Sequence, residues 1–171
     1  RLTTLTILLA ALTQLSKGNI REAFHRYLCE PGNVLESLPQ KPRLTLRERD
    51  RAFFENFVQG IRLRDLIAQD AAQLDNESQR NIRINAKLFL DKLEEKFGND
   101  SDGLTKFGGF LVQRCFLVAV STPSQQSAFR VFSVLNSRGL DLLPTDIIKS
   151  DIIGNIKSPE EQDEVTERWE E

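Results

Sequence analysis

Leu2-Thr3-Thr4-Leu5-Thr6-Ile7-Leu8-Leu9-Ala10-Ala11-Leu12-Thr13-Gln14-Leu15 is the stretch from which the fold class follows. Leu2, Leu5, Leu8, Leu9, Leu12 and Leu15 recur at three- and four-residue spacing, the stripe of a helix that faces a core. Leu5 to Leu12 is as apolar as the centre of a secretory leader, but it continues into an amphipathic pattern. It therefore reads as a buried helix, closed by Lys17-Gly18-Asn19.

Helical periodicity returns on the far side of that break. Ile20 to Leu28 carries Phe24, Tyr27 and Leu28 on one side and stops before Pro31-Gly32. Asn33 to Leu44 has no period and reads as a loop, with a short strand at Arg43-Leu44-Thr45. Thr45-Leu46-Arg47-Glu48 is a capping box, so a helix is expected to start there and run through Phe53, Phe54, Phe57 and Val58 to a C-terminal Gly60. Leu63 to Ala68 is a short helix or turn. The longest helix is expected over Glu77 to Phe97, where Ile82, Ala86, Phe89, Leu90, Leu93 and Phe97 share a stripe.

Gly98 to Gly103 is a turn-rich linker whose Asp100 and Asp102 lack the ligand spacing of an EF-hand, so no metal is assigned to it. Cys115-Phe-Leu-Val-Ala-Val120 is a continuous apolar run and reads as a buried strand. Thr122-Pro123-Ser124-Gln125 supplies another helix start, followed by the core stripe Ala128, Phe129, Phe132 and Leu135. Pro144 begins a last helix with Ile148, Ile152 and Ile156 turned inward. The expected class is mainly α with one or two short strands (α+β), residues 1–156 forming one domain and residues 157–171 an acidic tail or the start of the next segment.

The formal net charge of −2 is unevenly spread, because residues 157–171 carry a local −5 and leave about +3 on residues 1–156. That excess does not by itself indicate nucleic-acid binding, and its densest portion, Lys41 to Arg64, interleaves bases with acids as a solvated helix face does. Cys29 and Cys115 lie 86 residues apart without a pairing pattern and read as core thiols. With no leader and no membrane span of the needed length, the expected location is the reducing cytoplasm. The chain opens on Arg1 and contains no methionine, which leads us to expect a piece of a longer protein. His25, the sole histidine, is expected to be structural or superficial. No Walker phosphate loop or dinucleotide glycine fingerprint occurs.

Polar groups crowd instead into Phe132-Ser-Val-Leu-Asn136-Ser-Arg138-Gly139-Leu-Asp141-Leu142-Leu-Pro144-Thr-Asp146-Ile-Ile-Lys149. Asn136 and Arg138 follow one helix end and precede another helix whose free amides point at the same junction, a place where an anion could bind. Arg138 offers a planar fork for phosphate, Gly139 lets backbone approach a ligand, and Asp146 and Lys149 share a helical face. A structural alternative stays open: Asn136 and Gly139 as caps, with Asp146 and Lys149 as a dipole partner and its surface ion pair.

The pattern Phe132-x-x-Leu135-Asn136-x-Arg138-Gly139-x-x-Leu142-x-x-x-Asp146-x-x-Lys149 resembles the signature of the domain-of-unknown-function 262 family, the S-type half of GmrSD modification-dependent restriction enzymes, which recurs in other phage-defence proteins. Arg1-Leu-Thr-Thr-Leu, the Arg43-Leu-Thr-Leu segment before a helix with Asp50 and Phe53-Phe54, and the long helix near Ile82 are similar as well. The family begins with a ParB/sulfiredoxin-like portion whose Asp-Gly-Gln-Gln-Arg motif handles a nucleoside triphosphate, and only its closing arginine, Arg1, is present here. The resemblance thus implies the helical remainder of such a domain, with Arg1 and the Asn136–Arg138–Gly139 turn facing a shared pocket. It implies an intact enzyme that binds and hydrolyses a nucleoside triphosphate with Mg²⁺ and couples this to restriction of DNA, cleavage itself belonging to a downstream nuclease domain.

In that scheme Arg1 and Arg138 neutralise phosphate, Asn136 bonds the ligand or holds the turn, and Asp146 orients Lys149 or assists a water on the metal. These residues alone are expected to be inactive and to hold no ligand. A homo-oligomer is compatible with the resemblance and a membrane partner is not expected. The family often has serine before the proline of the last helix, and Leu143 here removes that cap, at about 1 kcal/mol. A different class also stays open: a non-catalytic helical binding or scaffold module with residues 132–149 as a hinge or docking surface.

Overall fold

The computed structural model describes residues 2–74 and 76–118, and beyond them residues 121, 122, 124, 127, 131, 148, 152, 156, 158, 161, 164, 165, 168 and 169. Two compact units divide the chain, Arg1–Phe116 and Leu117–Glu171. In the first, helix α1 (Leu2–Leu15) is followed by α2 (Gly18–Leu28), strand β1 (Cys29–Glu30), a 3-10 turn (Val34–Glu36), β2 (Lys41–Pro42), α3 (Glu48–Phe54), a π-helical turn (Glu55–Gln59), α4 (Leu63–Ala68), α5 (Glu77–Phe97) and α6 (Ser101–Arg114). This is the mainly helical architecture with short strands that the periodicities predict.

α1 is the centre of the unit. It packs chiefly on α2 and α5 and touches the π turn, α4 and α6 as well. Being surrounded, it buries more than the expected leucine stripe, of which Leu9 and Leu12 are core residues. Ile7, Ala10, Ala11, Leu12 and Thr13 are 1% exposed or less, while Leu5, Leu8 and Leu15 are only partly buried and Leu2 is 53% exposed. The two alanines allow neighbouring helices to approach closely. The hydroxyls that enter the core are satisfied within the helix, Thr13 Oγ1 donating to Leu9 O and Ser16 Oγ to Leu12 O, both at 2.7 Å. Phe24 and Leu28 of α2 join this core, but Tyr27, expected beside them, is exposed. α5 buries Ile82, Ala86, Leu90 and Leu93 along the predicted stripe.

Hydrogen bonds between segments distant in sequence share the capping of the helices with local caps. α3 starts at Glu48 after Arg47 without a side-chain cap, so Thr45 does not open it. The strand pairs Cys29 with Pro42 and Glu30 with Lys41, slightly earlier than the predicted Arg43-Leu44-Thr45. Gly60 does not supply a left-handed stop. Its φ is −73°, and Ile61 takes the positive value of 56° instead. Gly60 is needed for space, since a Cβ there would collide with the Asn56 carbonyl oxygen inside the π turn. The six-residue α4 is capped by distant residues at both ends: Gln14 Oε1 of α1 accepts from Leu63 N at 2.9 Å, and Arg83 Nη2 of α5 donates to Ile67 O at 2.7 Å. α5 opens on Asn76, whose side chain accepts from Gln79 N at 2.9 Å and donates to the buried Asp50 carboxylate at 3.0 Å.

Two expectations fail in the next stretch. The expected turn covers only Gly98–Asp100, and Ser101–Gly103 starts α6, capped by Asp100 Oδ1 accepting from Gly103 N at 2.8 Å. Three glycines, Gly103, Gly108 and Gly109, hide this helix in the sequence. Cys115–Val118 is not a buried strand: Phe116, Leu117 and Val118 are more than two-thirds exposed, and Cys115 is an exposed free thiol rather than a core residue. In the second unit residues 127, 131, 148, 152, 161, 164, 165, 168 and 169 are helical. Ser124 Oγ accepts from Ser127 N at 3.2 Å, and Gln125, the expected capping partner of Thr122, lies outside the described residues. Ile148 and Ile152, expected to face inward, are exposed. The core stripe Ala128, Phe129, Phe132 and Leu135, the caps at Asn136 and Gly139 and the start at Pro144 lie outside the described residues.

The neighbours Gly108 and Gly109 differ in surroundings, and substitution should separate them. A Cβ on Gly108 would enter the ring of the buried Phe24, whereas one on Gly109 would meet only Gln113 Nε2 at 4.0 Å. Gly108→Ala is expected to destabilise by about 1–3 kcal/mol through overpacking. Gly109→Ala is expected to stabilise by about 0.5–1 kcal/mol through helix propensity. Urea denaturation midpoints of the two variants, moving in opposite directions, check both. Asn76→Ala removes a cap and strips a buried carboxylate of its amide donor, with an expected loss of about 1–3 kcal/mol. Asn76→Asp keeps the cap but sets two carboxylates together, so it should not restore the midpoint.

Candidate functional site

Arg1, Asn136, Arg138, Gly139, Asp146 and Lys149, the residues singled out from sequence, all lie outside the described residues. Within the segment from Phe132 to Lys149 the described residue is Ile148, helical and 52% exposed. The described residues build a different concavity, a groove of about 640 Å³ along the outward face of α2.

That groove follows from helix geometry. With Phe24 and Leu28 committed to the core, Gly18, Arg21, Glu22, His25, Arg26 and Cys29 fall on the face that lines the groove. The opposite wall is the loop that joins the paired strands, through Pro31, Gly32 and Gln40. Gln40 Nε2 donates to His25 Nε2 at 3.4 Å, which links the two walls. Behind α2, Arg43 Nε donates to Arg26 O at 2.7 Å while its Nη1 lies 3.4 Å from Glu30 Oε1. That guanidinium is thus committed to the helix end and the hairpin.

Ile61 also lines the groove, and its backbone is strained. A β-branched residue at φ 56° is an outlier that persists only when its surroundings fix it, at a cost of order 1–3 kcal/mol. The surroundings are in place. Gly60 N donates to Glu55 O and Arg62 N to Phe57 O, both at 2.8 Å and both five residues back. Arg62 is clamped by Asp65 at 2.8 Å and Asn56 at 3.0 Å, with its guanidinium over the Phe57 ring. The π turn brings Phe57, Val58 and Gln59 inward together, and Gln59 Nε2 donates to Leu44 O at 2.6 Å.

Arg21 and Arg26 make no side-chain hydrogen bond or ion pair among the described residues, unlike Arg43, Arg62 and Arg64. Glu22 and Arg26 stand at the spacing that favours a helical ion pair, yet no such pair forms. The groove therefore offers two unneutralised guanidiniums, an imidazole and an amide to a polar or anionic group. Among the described residues no three His, Cys, Asp or Glu side chains are grouped to hold a metal ion. No described helix is long and apolar enough to cross a membrane. Sequence reasoning treated His25 as structural or superficial and passed over Arg21 and Arg26. The available signal was their spacing on the polar face of an otherwise core-bound helix.

Residues 1–153 match the family model described as GmrSD restriction endonuclease, N-terminal domain. No curated protein and no solved structure matches the chain. The family match runs from the first residue of the chain through α1 to α6 and past Lys149, nearly to the acidic tail, and so the chain belongs to the GmrSD restriction endonuclease N-terminal domain family.

Proposed function

We propose that this chain is the nucleotide-handling part of a cytoplasmic phage-defence restriction enzyme that binds and hydrolyses a nucleoside triphosphate and couples this to restriction of DNA. The observation that carries the proposal is the family match over residues 1–153, which takes in the whole Asn136–Lys149 pattern. Arg138 supplies a bidentate guanidinium for phosphate charge, Arg1 supplies a second, and Gly139 lets the backbone come close. Asn136 bonds the ligand or holds the turn between the helices. Asp146 orients Lys149. Mg²⁺ accompanies the triphosphate as the other half of its charge balance. The ParB-like character of the intact domain belongs to the same proposal.

A second reading is favoured by one observation in the same segment. Ile148 and Ile152, one helical turn apart, are both exposed, at 52% and 44%. An exposed apolar pair at this spacing suits a docking surface in a non-catalytic module.

Calorimetry on the full-length protein separates the two. Arg138→Ala is expected to weaken triphosphate binding by about 10- to 100-fold, the value of a lost charge-assisted phosphate contact. Ile148→Ala/Ile152→Ala should leave triphosphate binding unchanged. Undiminished binding in Arg138→Ala overturns the phosphate role. A polypeptide of these 171 residues by itself should show no triphosphatase activity above background, since the family's Asp-Gly-Gln-Gln residues are not among them.

A further inference from the structure

We draw no further inference here: the strongest candidate, the groove between the outward face of α2 and the loop that joins the paired strands, sets Glu22 between the guanidinium-bearing Arg21 and Arg26, and nothing in the structure shows what occupies it.

Discussion

Burial of α1 from several directions at once is the constraint on which the first unit depends. Ile7, Ala10, Ala11, Leu12 and Thr13 are almost completely removed from water, and α1 packs against α2, α5, the π turn, α4 and α6. A fully buried Ile or Leu contributes about 1.5–3 kcal/mol, so no single partner helix holds α1. Two features make such a helix possible. Alanines keep the interhelical distance short, and the hydroxyls of Thr13 and Ser16 are turned back onto the carbonyls of their own helix, so no polar atom there is left unpaired.

Once α1 is central, short elements around it can exist without being stable in isolation. α4 has six residues, too few to propagate alone. Its first amide is held by Gln14 from α1 and one of its last carbonyls by Arg83 from α5. Asn76 does the same between α3 and α5, capping one helix while donating to Asp50 of the other. These bonds cross between elements far apart in sequence, so they link the ends of the helices to the assembly of the core.

The π turn and the strained Ile61 convert that core into a shaped surface. Three consecutive residues of the π turn, Phe57, Val58 and Gln59, are buried, and the turn closes at Gly60 and Ile61. Ile61, at φ 56°, lines the groove beside α2. The groove presents the side chains of Arg21 and Arg26 without ion-pair partners among the described residues, whereas the chemistry proposed for Asn136 to Lys149 requires a positioned phosphoryl group.

Periodicity determined a good deal of this protein. The bounds of α1, α4 and α5 and the stripe Ile82–Ala86–Leu90–Leu93 were legible because side chains repeating at the helical period have one way to reach a core. The resemblance to GmrSD-type restriction enzymes was likewise legible from residue types at fixed spacing, and the match over residues 1–153 supports that family. Tertiary structure alone decided the rest. Which face of α1 is buried depends on how many helices surround it. α6 forms despite three glycines because Asp100 caps it and Gly108 fits against Phe24. Gln14 and Arg83 act as caps, and Asn76 reaches Asp50, across distances that no local motif records. The pairing of Arg21 and Arg26 with the strained Ile61, across a wall closed by Gln40, exists only because packing brings 18–29, 31–40 and 61 together. A sequence fixes what each segment prefers, and only the closing of the core fixes which segments become neighbours.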